Sequence, residues 1–361
     1  MQTKLLAVGI ALLVSWHAAA HGVEALSNDG TLPDVFPASA LATDGPAEYS
    51  DAGCVPSDES SIGCGDGGCA DGCCTGGCCD NCCDDCCYEE QWQFSFGALY
   101  MARDYNNAPI TIDAGSGTTV LSAADMDGDY GWGYELHARR PGWDVRYMQL
   151  NFGDTLNGNA VAPTLYLQDV YAGPAEFRYH SDLYSLEVTC LCFDDCDPWR
   201  RSSGFRYLRL DEQLDFNLVG AYQPTDRLET TNDLYGWQWG TERAIIDRCD
   251  SPFQLHAFGK AGVYYASMDL TNTAFPGLIN DTARDSEGSV AFVGELGFNG
   301  SVQVTEQFSL DAGYQVMFIE GVALAGEQAT TVNALAVPAV AEINCGGLFY
   351  QGFTFGATYT W

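Results

Sequence analysis

The chain has 361 residues, enough for one large domain and a tail, and its 49 Asp and Glu against 15 Lys and Arg give a net charge of −34 at pH 7. This acidity excludes a typical nucleic-acid-binding protein, because the phosphate backbone is bound by basic side chains. Although 47% of the residues are hydrophobic, no stretch after the extreme N-terminus is long and apolar enough to span a bilayer as a helix. Any membrane span must therefore be made of β-strands.

The first twenty residues have the pattern of a secretory signal peptide. Lys4 supplies the positive start, Leu5–Trp16 a short apolar core, and Ala18–Ala20 a cleavage site of small residues. The alternative, an N-terminal membrane anchor, is disfavoured because about a dozen apolar residues are too few to span a bilayer. We therefore expect export, with residues 1–20 removed.

Residues 21–90 contain no Lys or Arg and show neither helical nor strand periodicity, which predicts a disordered acidic segment. The segment holds eleven cysteines between Cys54 and Cys87. After export, disulfides within or between chains are favoured. Spacings such as Cys79-x-x-Cys82 also suit a soft-metal thiolate cluster, and a tail without a defined role is the third interpretation. Because eleven is odd, one thiol at least must pair elsewhere, for example with an envelope partner. We expect this segment to lie in the periplasm.

From Gln91 onward, apolar and polar or small residues alternate with a period of two, which is typical of β-strands. In the first strand Trp92, Phe94 and Phe96 alternate with Gln93, Ser95 and Gly97. The pattern predicts ten strands, near residues 91–103, 130–139, 143–152, 176–192, 204–212, 232–241, 253–268, 290–302, 308–318 and 349–361. Within Trp143–Phe152 the apolar phase slips, and we expect a β-bulge there.

The predicted connections alternate in length along the chain. Short turns such as Arg140–Gly142 and Gln303–Gln307 alternate with long gaps such as Asp104–Gly128 and Glu320–Gly347. Transmembrane barrels show this alternation. Residues 91–361 are thus predicted to form an all-β, transmembrane, antiparallel up-and-down β-barrel of about ten strands, or twelve if part of a long loop pairs. A soluble β-sandwich or jelly roll is the alternative, but tyrosines and tryptophans near the strand ends favour contact with outer-membrane lipid.

Four segments carry a resemblance to a known family: Gly204–Glu212 (GFRYLRLDE), Thr231–Gly240 (TNDLYGWQWG), Ser181–Glu187 and Leu99–Asp104. They resemble the pore-forming major outer-membrane proteins of the Legionella type and their planctomycete relatives, over roughly residues 92–361. The last strand, which ends on Trp361, also resembles the signal read by the outer-membrane insertion machinery. The resemblance implies a porin-like barrel in the outer membrane of a Gram-negative-type cell and supplies no catalytic residue or cofactor. The Cys-rich segment departs from the family.

Ionisable residues occupy the polar face of the predicted strands: Arg103, Glu135, His137, Arg139, Glu187, His256, Lys260, Glu295 and Asp311. Each would cost up to about 2–4 kcal/mol against lipid near the bilayer midplane, so we expect them to face the lumen. They either line a narrow aqueous path or pair into a network that plugs a small barrel.

Two functions follow for the predicted barrel. The predicted outer loops are rich in Asp and Glu, and this acidity either provides solubility or attracts cations to the mouth of the barrel. The first expectation is therefore a porin-like pore for small solutes with a weak cation preference. The alternative is a structural or adhesive envelope barrel crosslinked through its Cys-rich tail.

Three further patterns carry weaker predictions. Asp125, Asp127 and Asp129 have the spacing of a calcium loop but lack its glycine and final glutamate. His180 and Asp182 share a strand face, as acid and histidine pairs do in outer-membrane proteases, although such a pair is more often structural; we expect no enzyme. Cys196 and Cys249 fall in two turns on the same side of the barrel, which suggests a disulfide.

Overall fold

The computed structural model describes residues 91–361 apart from 105–107, 114, 127–129, 167–168, 193–198, 219–225, 248–251, 275–280 and 334–338. Some side chains at strand ends, chiefly those of residues 158–174, are also outside the description. The predicted signal peptide and the Cys-rich segment lie outside the described residues.

The described chain is almost entirely β-structure. Its strands are β1 (Gln93–Asp104), β2 (Pro109–Asp113), β3 (Thr119–Ser122), β4 (Tyr130–Arg140), β5 (Trp143–Tyr166), β6 (Asp169–Cys192), β7 (Trp199–Leu218), β8 (Asp226–Asp247), β9 (Phe253–Ala274), β10 (Asp281–Thr305), β11 (Phe308–Ala323) and β12 (Cys345–Thr360). One 3₁₀ turn covers Ala123–Met126, and one short helix, α1, covers Ala325–Gln328. Within the residues described, no helix has the length and apolar character needed to cross a membrane.

Ten of these strands close into a transmembrane antiparallel barrel, which confirms the predicted fold class and strand number. β1 pairs with β4 on one side and with β12 on the other, and from β4 to β12 each strand pairs with the next. The β2–β3 hairpin pairs only with the far part of β5, where Ile112 lies opposite Leu165. The hairpin therefore joins the sheet but not the ring.

The two ends of the barrel differ. At the turn end, the chain reverses through the two-residue turns Pro141–Gly142 and Glu306–Gln307, and Gly142 adopts a positive φ of 86° in the first of them. The backbones of Trp92 and Trp361 exchange two hydrogen bonds at this end (2.9 and 2.8 Å). The opposite end, the loop end, carries the β2–β3 hairpin and the segment that connects β11 to β12.

Both faces of the barrel change polarity between its ends. In the turn-end half, large apolar side chains point outward, such as Phe96, Trp237 and Phe355, each about half exposed. In the loop-end half of β6, β7 and β8 the buried inward residues include Leu183, Leu210 and Leu234, whereas the outward residues are polar: Asp182, His180, Arg209, Asp211, Asp233 and Glu229. Outward tyrosines stand at the change: Tyr147, Tyr184, Tyr207, Tyr235 and Tyr265. Lipid therefore surrounds the turn-end half, and tyrosines mark its border.

The predicted bulge in Trp143–Phe152 is wrong. The register between β4 and β5 runs without interruption from Trp132 opposite Asn151 to Arg140 opposite Trp143. The apparent slip is the change of polarity, because Met148 is inward and buried although it is apolar.

The predicted long connections are also partly wrong. The gap expected at Gly153–Ala175 is mostly the paired ends of β5 and β6, with a register shift only between Ala160 and Thr164. The loop expected to open at Glu320 begins after Ala323. The strands continue into the water-exposed half of the barrel. The lipid-facing pattern that identifies strands in the sequence no longer applies there, and the sequence therefore predicts loops at these strand ends.

Candidate functional site: the barrel lumen

Midway along the lumen, six charged side chains form a layer with two amides. This polar layer consists of Glu135 (β4), Arg146 (β5), Glu187 (β6), Arg206 (β7), Gln238 (β8), Lys260 (β9), Glu295 (β10) and Gln315 (β11). Its three cations face three carboxylates, so the layer has no net charge. Each member comes from a position that alternates with outward residues, and this places all eight on the inner face.

The ion pairs of the polar layer cross the lumen. Arg146 Nη1 lies 2.5 Å from Glu295 Oε1, and Arg206 Nη1 lies 3.0 Å from Glu295 Oε2. Lys260 Nζ lies 2.7 Å from Glu187 Oε2, and Arg206 Nη1 lies 3.3 Å from Glu187 Oε1. Arg206 and Glu295 are only 1% and 2% exposed. Such deep burial of charge is tolerated because each group is paired and hydrogen-bonded.

On the loop-end side of the polar layer, inward residues from all ten strands fill the lumen. We call them the apolar plug: Met101, Gly131, Leu150, Leu183, Leu210, Leu234, Ala266, Ala291, Ile319 and Tyr350. Gly131 is buried, and each of the other nine is 0% exposed. Among the residues described, water therefore has no path through this level of the barrel.

A buried ion pair lies further toward the loop end. Arg103 pairs with Glu212 and also donates hydrogen bonds to the hydroxyls of Tyr179 and Ser181. The second oxygen of Glu212 accepts a hydrogen bond of 2.7 Å from the backbone N–H of Ala325. Glu212 thus joins the barrel wall to the segment between β11 and β12.

That segment folds back over the apolar plug, and we call it the lid (residues 324–344, described except for 334–338). The lid residues Leu324, Ala325, Ala329 and Val332 are 0% exposed. The side chain of Asn232 on β8 bonds both the N–H and the carbonyl of Ala323, just before the lid (2.7 and 2.9 Å). The lid is therefore a packed continuation of the barrel interior.

On the turn-end side of the polar layer, the lumen widens into a cavity of about 600 Å³, the vestibule. Charged residues from β4, β5, β8 and β9 line one wall. Arg139 Nη2 lies 2.9 Å from Asp144 Oδ2 and 3.4 Å from Glu242 Oε2. His256 Nδ1 lies 3.2 Å from Glu242 Oε1. Asp311 lies on the other wall.

The nine ionisable residues singled out from the sequence are all placed on the inner face, in three groups. Arg103 lies beneath the lid; Glu135, Glu187, Lys260 and Glu295 belong to the polar layer; and His137, Arg139, His256 and Asp311 line the vestibule. Sequence reasoning missed Arg146, Arg206, Glu212 and Glu242. The signal was present for Arg146, which stands between the outward Val145 and Tyr147.

Of the weaker sequence patterns, the structure describes the His–Asp pair and one of the three aspartates with calcium-loop spacing. His180 and Asp182 are 3.0 Å apart, but both point outward from β6 rather than into the lumen. Asp125 accepts a hydrogen bond from the N–H of Ser122 (2.6 Å) at the 3₁₀ turn, whereas Asp127 and Asp129 lie outside the described residues.

The predicted disulfide partners Cys196 and Cys249 likewise lie outside the described residues. Within the described residues, Cys190 and Cys345 are free thiols. In the described part of the chain, no group of three or more His, Cys, Asp or Glu side chains is arranged to hold a metal ion.

Comparison with known proteins gives one family and several similar folds. The model of the family described as Putative beta barrel porin-7 (BBP7) matches residues 147–361. No curated protein matches the chain.

Among solved structures, the outer membrane protease OmpT from Escherichia coli is similar at 10% identity and a TM-score of 0.42, covering 75% of this chain and 96% of that one. The translocator domain of autotransporter NalP from Neisseria meningitidis is similar at 10% identity and a TM-score of 0.37, covering 74% and 88%. The toluene transporter TbuX from Ralstonia pickettii is similar at 8% identity and a TM-score of 0.27, covering 75% and 89%.

Proposed function

Since this chain belongs to the BBP7 family and is an outer-membrane β-barrel, we propose that it is a structural barrel of the cell envelope whose lumen is closed to solutes. The observation that supports this proposal is the apolar plug, to which every strand of the ring contributes a buried inward residue. A passive porin needs a continuous aqueous path, and a barrel only slightly larger than eight strands has an interior that side chains can fill.

The energy of opening supports the same proposal. Five plug residues are large aliphatic side chains at 0% exposure: Leu150, Leu183, Leu210, Leu234 and Ile319. At about 1.5–3 kcal/mol for each fully buried side chain, hydrating these five alone costs roughly 8–15 kcal/mol. That equals the whole unfolding free energy of a typical domain, so spontaneous opening would be rare.

The structural role extends to the segment before the barrel. Trp92 lies at the turn end beside Trp361, and short turns of outer-membrane barrels face the periplasm. We place the Cys-rich segment there, where Cys54–Cys87 crosslink the barrel to envelope neighbours. Non-reducing gels of isolated envelopes should show high-mass species that collapse to monomer on reduction. Monomer alone without reductant would contradict the crosslinking.

A second candidate function is a porin-like pore for small solutes with a weak cation preference. Two observations favour it: the name of the matching family and the resemblance of Gly204–Glu212 to pore-forming proteins of the Legionella type. Passage by this route would require both the lid and the apolar plug to move.

Planar-bilayer recording on the purified full chain separates the two functions. We expect no stepwise conductance, either from the native chain or from a variant in which a short Gly-Ser linker replaces the lid, because the plug remains. Flotation of the same sample with lipid vesicles shows that the barrel has inserted. Conductance steps in the native chain would support the pore, and steps only after lid removal would make the lid, rather than the plug, the barrier.

The outer-membrane protease remains a third function to test. His180 is the residue that such an enzyme would need, and its side chain is 57% exposed on the outer wall. Peptide hydrolysis by the native chain that disappears in His180→Ala would support the protease over both barrel functions.

A further inference from the structure

The two walls of the vestibule differ in charge. On the wall made by β1, β10, β11 and β12, the inward side chains between the polar layer and the turn end are Gly, Ser, Thr, Asn or Gln, with one exception. The exception is Asp311, the one ionisable inward residue that these described strands contribute to the vestibule. The opposite wall carries the arginines, the histidines and the other inward carboxylates, Glu135, Asp144 and Glu242, while Glu306 lies at the cavity edge in the turn between β10 and β11.

The charges on the opposite wall are matched, but that of Asp311 is not. Arg139 pairs with Asp144 and Glu242, and Arg200 lies 3.8 Å from Glu242. In the part of the chain that the structure describes, no cation lies within ion-pair distance of Asp311. Its Oδ2 accepts one hydrogen bond, from the hydroxyl of Thr358 (2.6 Å). Among the described residues, Asp311 is therefore a carboxylate without a counter-ion.

The surroundings of Asp311 are open and rich in hydrogen-bonding groups. Gly356 lies directly opposite Asp311 in the pairing of β11 with β12, and Gly97 lies opposite Gly356 on β1. Neither glycine places a side chain over the carboxylate, so its lumen side faces the cavity. The hydroxyl of Ser95 lies 2.7 Å from that of Thr358 and extends the polar surface along β1.

These features together select one class of ligand. A positive charge is needed to match Asp311, yet a calcium or magnesium ion prefers several anionic oxygens, and the inward strand positions of this wall offer one carboxylate. The 600 Å³ of space and the surrounding hydroxyls instead fit an organic molecule with several polar groups. We propose that the vestibule binds a small polyhydroxylated solute that carries an ammonium group, with Asp311 as its counter-ion and Thr358 and Ser95 as hydrogen-bond partners. This site goes beyond the structural role and does not require passage through the barrel.

Glucosamine and glucose are matched probes for this site, because they have the same size and differ only at C2, where glucosamine carries an ammonium in place of a hydroxyl group. Isothermal titration of the full chain in detergent micelles should give binding of glucosamine that exceeds that of glucose at least tenfold. A hydrogen bond between charged partners accounts for a difference of this size. Equal binding of the two sugars, or binding of neither, would overturn the proposal.

The variant Asp311→Asn keeps the shape of the side chain and removes its charge. It should weaken glucosamine binding about tenfold and leave glucose unchanged, whereas Asp269→Asn, which removes an exposed outward charge from β9, should alter neither. Undiminished glucosamine binding by folded Asp311→Asn would refute the site. If that variant fails to fold, as judged by its gel mobility before and after heating, Thr358→Val serves instead. It should weaken binding severalfold, and unchanged binding would refute the proposed contact.

Discussion

Removing one charge from the polar layer should destabilise the barrel strongly. Glu295 is 2% exposed and accepts hydrogen bonds from both Arg146 (2.5 Å) and Arg206 (3.0 Å). The substitution Glu295→Gln keeps the shape of the side chain but leaves three cations facing two carboxylates. Breaking a buried ion pair by removing one partner costs about 3–5 kcal/mol, because the remaining charge stays desolvated. We expect a loss of about 3 kcal/mol or more in the free energy of unfolding.

The assay is reversible urea unfolding of the chain in lipid vesicles, followed by tryptophan fluorescence. Glu306→Gln, in the exposed turn after β10, is the matched control and should lie within about 0.5 kcal/mol of the native chain. The double variant Arg206→Gln with Glu295→Gln restores equal numbers of cations and carboxylates. Its loss in the free energy of unfolding should therefore be smaller than the sum of the two single losses by about 0.5–3 kcal/mol. A Glu295→Gln variant as stable as the control, or strictly additive losses, would refute a coupled and charge-balanced layer.

Three further predictions concern packing and the anchoring of the lid. The Cβ of Gly133→Ala would overlap the backbone carbonyl of the neighbouring strand, so this variant should lose about 1–3 kcal/mol; Gly294→Ala, where nothing lies within 4 Å of the new Cβ, should retain native stability in the same urea titration. Leu234→Ala in the plug should cost about 2–5 kcal/mol, and a loss below about 1 kcal/mol would mean that the plug is loosely packed. Glu212→Gln should loosen the bond to Ala325 and speed amide exchange in the lid, measured by mass spectrometry, while exchange at the turn end stays unchanged.

The turn-end half of the barrel could be predicted from the sequence, because lipid outside and polar groups inside impose a strict period of two. Trp92, Phe94 and Phe96 show this period, and the alternation also placed Asp311 on the inner face. Strand number followed from counting such segments. These features depend only on local alternation, which one sequence displays.

The loop-end half could not be predicted in the same way. Its strands continue the alternation with the polarity reversed, so Met148 resembled a break in register rather than an inward residue. Partners across the lumen are equally hidden, because Arg146 and Glu295 are 149 positions apart and no local pattern specifies their meeting. The lid was also missed, since its inward packing depends on bonds from Glu212 and Asn232 on other strands.

The reversal of polarity also explains why inward side chains fill the loop-end half of the lumen. Where lipid surrounds the barrel, apolar side chains are accommodated outside and the interior can be polar. Once the strands extend into water, apolar side chains gain free energy only by turning inward. Ten strands enclose too little space to bury such residues and still leave an open channel. The plug at Leu183, Leu210 and Leu234 therefore follows from the length of the strands beyond the membrane, not from the lid. For this reason, substitutions that open the barrel must act on the inward residues of the loop-end half.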